Sequence, residues 1–163
     1  MVRILVAFGL AFLVTYVLSV VGASTHVVQQ FQAMPSAPAV GLADRLQWLV
    51  ADLLGMAKLI LYPALIALAL IIAFTTATLI ARLLPSWRFV GYVLAGGLAM
   101  LVLHLAVTEA VGTHAVAASR TTAGLLWQIV AGAVGGLVFA RFDRAAASST
   151  SNAAKTAADY DLG

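Results

Sequence analysis

Residues 4–22 read ILVAFGLAFLVTYVLSVVG, nineteen positions without a charged side chain. The run belongs to a longer stretch, Arg3 to Asp44, in which His26 is the one ionisable group besides Tyr16. Three more apolar runs follow, so the predicted spans are about 4–22, 59–81, 89–108 and 121–140. At ~1.5 Å rise per residue, each matches a hydrocarbon layer of ~30 Å. The spans predict an all-α integral membrane protein, a four-helix transmembrane bundle filling residues 1–142.

Composition agrees. Hydrophobic residues make up 63% and charged residues 9% of the chain, against ~45–50% and ~25% in soluble domains. Cysteine is absent, which removes disulfides, thiolate metal sites and a cysteine nucleophile together. The pI near 9.7 is not a nucleic-acid signal. The positive charges form no basic run and sit at the ends of spans instead.

That placement predicts an orientation. With the N-terminus inside, Arg3, Arg82, Arg88, Arg141, Arg144 and Lys155 are cytoplasmic, and Arg45, Lys58 and Arg120 are external, six against three. Enrichment of Lys and Arg on the cytoplasmic side is the expected bias. The expectation is a bacterial inner-membrane protein with both termini cytoplasmic. A second reading of the first span is a signal peptide cleaved near Val21-Gly22-Ala23. The apolar run exceeds the usual ~7–15 residues, which favours a retained helix.

Between the first two spans, residues 23–56 form the one long connector. Pro35 and Pro38, among Ser, Gln and Gly, predict an irregular external loop in its first part. In residues 42–56, Leu42, Leu46, Leu49, Val50, Leu53 and Leu54 recur at helical spacing, with Asp44, Arg45, Gln47 and Asp52 mostly between them. This predicts an external amphipathic interfacial helix, with Trp48 as an interface anchor and a docking face for a partner as its functional alternative. Residues 143–163, rich in Ala and Ser, lack the apolar content for a core and are expected to form a mobile cytoplasmic tail.

Spans two and three are joined by the tight turn 82–88, which makes them antiparallel neighbours. Thr75, Thr76 and Thr78 are expected to bond back to their own helix. Gly91 and Ala95, then Gly124, Gly132 and Gly136, lie on rows of small residues four apart. Such rows allow close helix contact, within the bundle or with another chain.

Ionisable groups inside a span are functional candidates. His104 is the clearest, with Thr108 on its face, Glu109 and Arg120 bracketing the next loop, and Gln128 in the fourth span. Together they are expected to form a polar patch at the outer side. His26, His104 and His114 all fall on that side but lack ligand spacing, so no cofactor is predicted and haem or metal stays a lesser alternative. No GxSxG, HExxH or phosphate-loop motif occurs, and no catalytic residue is assigned. The leading expectation is a non-enzymatic accessory or assembly subunit, partnered by the lipid bilayer and by another membrane chain or itself. The rival is an oligomeric transporter or channel-like protein with its vestibule around His104.

Overall fold

The computed structural model describes residues 2–111 and 120–160. Five α-helices are present among them: α1 (Val2–Gln32), α2 (Leu42–Lys58), α3 (Leu61–Leu83), α4 (Arg88–Val111) and α5 (Thr122–Tyr160). All but α2 are long and apolar enough to cross a membrane. The chain is an integral membrane protein built as a helical bundle.

Local chemistry sets the boundaries. Asp44, in the first turn of α2, accepts the Gly41 N–H at 3.1 Å, which satisfies a donor ahead of that helix. Pro63 is the third residue of α3, where a missing N–H breaks no helical bond. Between α3 and α4 the chain turns through a single 3-10 turn, Pro85–Trp87.

The expected irregular loop after Gly22 is corrected in its first part. The first helix runs without interruption through residues 23–32, a total of 31 residues and ~46 Å. Two features support the extra turns. Thr25 returns its hydroxyl to the Val21 carbonyl at 2.7 Å, and Phe31 packs edge-to-face on Trp48 of α2 at 5.7 Å. The helix gives way before Pro35, and the irregular connector shrinks to about 33–41.

Beyond the fourth span the backbone of α5 stays helical as far as Tyr160, 39 residues in all. The alanines of residues 143–160 are the strongest helix formers, which makes that extension locally consistent.

Packing runs in the order α1, α5, α4, α3. The α4–α5 contact is the closest: a Cβ on Gly96 would fall on the Gly132 backbone, and one on Gly136 would fall on Tyr92 backbone. Only glycine permits this approach. Next, α1 lies on the other side of α5, and α3 on the other side of α4. The ring closes through Phe74 of α3, which stacks on Phe139 of α5 at 4.5 Å and meets Phe8 of α1 at 6.4 Å and Tyr92 of α4 at 6.2 Å. Four helices thus share one aromatic cluster, each ring pair worth about 0.5–1.5 kcal/mol beyond its burial.

Two ends can now be distinguished. The proximal end carries the start of α1 and the α3–α4 turn. The distal end carries the end of α1, α2 and the start of α5. There α2 folds back along α1: Arg45 reaches Gln32 at 2.8 Å, and the Tyr16 hydroxyl donates to the Leu53 carbonyl at 2.8 Å.

Candidate functional site

The interior of the bundle holds a compact set of uncharged polar groups, Ser19, Tyr62 and Gln128. Gln128 of α5 and Ser19 of α1 are fully buried. The Ser19 hydroxyl donates to Gln128 Oε1 at 2.5 Å, and Gln128 Nε2 donates to the Ser19 carbonyl at 3.2 Å. Because Ser19 has spent its proton, the 2.6 Å contact with Tyr62 of α3 is donated by the tyrosine hydroxyl. The sequence is Tyr62 to Ser19 to Gln128, one hydrogen-bond chain joining three helices.

More bonds of the same kind line the α1–α5 seam. Trp127 Nε1 donates to the Leu18 carbonyl at 2.8 Å. At the distal end, Thr121 contacts His26 Nε2 at 2.9 Å, and Gln30 contacts the same nitrogen at 3.0 Å. Thr121 also accepts the Gly124 N–H at 3.1 Å, capping the start of α5.

The expected outer patch is not assembled this way. Gln128 faces α1, away from the role foreseen for it beside His104. His104 is buried, 5% exposed, and its Nδ1–H donates to the Met100 carbonyl at 2.8 Å. Its Nε2 has no hydrogen-bond partner among the described residues. Thr108 returns its hydroxyl to the His104 carbonyl at 2.8 Å. Glu109 and Arg120 are exposed, and His114 lies outside the described residues. The α4–α5 register, with Gly96 against Gly132 and Tyr92 against Gly136, sets His104 level with Gly124, two turns further on.

The small-residue rows divide between two faces. Gly132 and Gly136 serve the contact with α4 inside the bundle, and Gly124 is buried at the start of α5. Gly91 and Ala95 instead line a groove of about 640 Å³ between α3 and α4. A Cβ on Gly91 would meet nothing within 4 Å. Across the groove, Thr76 bonds back to the Ile72 carbonyl at 2.9 Å, and Thr78, outside the groove, does the same to the Phe74 carbonyl at 2.7 Å, as threonines in a membrane helix are expected to do.

Sequence reasoning missed Ser19 and Tyr62, the two partners that give Gln128 its position. Chemically, the set offers hydroxyl, amide and carbonyl groups that satisfy one another. Among the described residues no three His, Cys, Asp or Glu side chains come together as metal ligands. No family model, no curated protein and no solved structure matches this chain.

Proposed function

We propose that this protein is a small non-enzymatic accessory or assembly subunit of a membrane complex, set in a bacterial inner membrane with both termini cytoplasmic. The observation that carries the reading is the closed interior. The fully buried polar side chains are spent within the fold, Ser19 and Gln128 on each other and Thr15 on the Ala11 carbonyl, and toward the proximal end Ile66, Leu70 and Phe74 fill the space at 0 to 3% exposure. A chain with its inside so committed acts through its surface.

The surface best suited to a partner is α2. It is held on α1 by the bonds of Arg45 and Leu53, yet leaves Leu42, Leu46, Val50 and Leu54 more than half exposed along one stripe. A rigid helix with an apolar stripe is a common recognition element. Photo-crosslinking side chains placed at Leu46 and Leu54 test the reading in intact membranes. A discrete adduct with one other membrane chain, lost on Leu46→Glu, is the expected result. Labelling of lipid alone would reject the role of α2, and a lone monomer in mild detergent would reject the subunit reading.

A haem- or metal-binding role draws on the buried lone pair of His104. With Nδ1–H held by a backbone carbonyl, Nε2 is presented as ligating histidines present it. Metal analysis and an absorption spectrum of purified protein decide it. The transport reading needs a polar route along other chains, since the central cluster of Phe74, Tyr92 and Phe139 is closed.

A further inference from the structure

Charge is divided unevenly between the two ends of the bundle. At the distal end Arg45, Lys58 and Arg120 are balanced by Asp44, Asp52 and Glu109. The proximal end carries Arg3, Arg82, Arg88, Arg141 and Arg144 against Asp143 alone.

Helix register gathers that excess into a collar. Arg82 and Arg88 stand at the two feet of the turn between α3 and α4, so they share one depth. The α4–α5 contact extends the plane. Tyr92 backbone lies against Gly136, and one turn nearer the proximal end come Arg88 on α4 and Arg141 on α5. In the α1–α5 seam the Ala11 carbonyl lies over Gly135, and two turns along α1 bring Arg3 to within about one turn of the same plane. Each of the membrane-crossing helices thus supplies an arginine, and the charges are spread round the bundle. Arg3 and Arg141 are exposed, and Arg82 and Arg88 are half-buried.

Depth identifies what meets them. Trp87, in the turn between Arg82 and Arg88, is 64% exposed, and an exposed tryptophan beside arginines marks the layer of lipid headgroups. A protein segment would cover one side of the bundle, whereas headgroups surround it. Basic clusters at a membrane surface attract anionic lipids through their net charge. That attraction needs no vacant donor, because a guanidinium keeps its charge whatever it is bonded to. The interactions that Arg3 and Arg88 already make therefore leave the charge of the collar in place.

We propose that the proximal end binds anionic phospholipid headgroups, gathered round the bundle by the charges of Arg3, Arg82, Arg88 and Arg141. The distal end, with its charges balanced, does not select lipid in this way. The inference goes beyond the subunit reading and does not depend on it.

The test uses the full chain in vesicles of phosphatidylcholine and phosphatidylglycerol, both leaflets alike, with bromine on the acyl chains of one lipid or the other. Bromine quenches indole fluorescence. Trp87 reports the proximal end, and Trp127, 43% exposed and packed over Gly22, reports the distal end. Each is observed alone after the other tryptophans are replaced by Phe. Phosphatidylglycerol is expected to quench Trp87 about five-fold more effectively than phosphatidylcholine at equal mole fraction, and to quench Trp127 no better. Arg82→Gln with Arg141→Gln should bring the Trp87 ratio below about two, while Arg82→Lys with Arg141→Lys should keep it. Salt raised from about 0.1 to about 1 M, which shortens the Debye length from about 10 to about 3 Å, should lower the ratio with every arginine in place. A ratio near one at Trp87 would overturn the proposal and leave the arginines to an acidic protein partner. An equally high ratio at Trp127 would overturn it too, as would a Trp87 ratio that neither salt nor the Gln variants reduce.

Discussion

Gln128 and His104 are both buried and neutral in hydrogen bonding, yet their surroundings predict opposite responses to the same substitution. Gln128 makes two bonds with Ser19 across the α1–α5 seam. Hydrogen bonds between membrane helices contribute about 0.6 kcal/mol on average and up to about 1.7. Gln128→Leu is therefore expected to lower unfolding free energy in mixed-micelle denaturant titrations by about 1 kcal/mol. A double cycle with Ser19→Ala should return most of that as coupling. His104→Leu removes a buried nitrogen that has no partner among the described residues, so its expected effect is neutral or stabilising. A loss as large as that of Gln128→Leu would mean that Nε2 is bonded in the membrane, as the haem or metal reading requires. At this scale the sequence is only half legible. A glutamine within an apolar span is visible at once, but its partner is 109 positions away. Membrane helices are apolar all round, so hydropathy does not say which face turns inward. Gln128 was expected to face His104 because both lie near one end of the bundle. Rotation about the helix axis, set by packing against α1, decides otherwise.

Elements are more legible, and the departures have causes. The four spans follow from length and charge exclusion alone, and the α2 helix follows from its periodicity. The turns of α1 beyond Gly22 were hidden because Ser, Thr and Gln suit loops in isolation, and helical structure there draws on α2 through Phe31 and Trp48. This gives a prediction for α2. Tyr16→Phe removes the bond to Leu53, leaving the Phe31 and Arg45 contacts in place. Amide exchange should rise about five- to tenfold through the second half of α2, the effect of about 1–1.4 kcal/mol, and stay unchanged in α4. Uniform change in both helices would show that α2 opens only with the whole bundle. The glycine rows make a second prediction at this scale. Gly96→Ala and Gly136→Ala place a methyl group on the backbone of the facing helix, which cannot give way as a side chain can. Each should cost about 1–3 kcal/mol. Gly91→Ala, with open space before it, should stay within about 0.5 kcal/mol of wild type. Equal losses at all three positions would mean that the α3–α4 groove is as tightly occupied as the α4–α5 seam.

For the whole molecule, the decisive quantity is the number of crossings. Four helices pass between the proximal and distal ends, and α2 folds back at the distal end without adding a fifth crossing. An even number puts the beginning of α1 and the end of α5 on one side of the membrane. Which side is a question of charge: the proximal end collects Arg3, Arg82, Arg88 and Arg141, and the distal end holds Arg45, Lys58 and Arg120 beside Asp44, Asp52 and Glu109. Lys and Arg are retained in the cytoplasm with little compensation from acids, so the proximal end is expected inside. The difference is small enough to be manipulated. Fusions at the C-terminus should make a fluorescent protein glow and leave alkaline phosphatase inactive, and fusions in the 33–41 connector should do the reverse. With Arg144 and Lys155 counted on the proximal side, replacing Arg82 and Arg88 by Gln while adding two lysines to that connector turns six against three into four against five, and a mixed population of both orientations is the expected outcome. An active phosphatase at the wild-type C-terminus would invert the bundle. It would then place the arginine collar of the proximal end in the external leaflet, without altering a single contact within the fold.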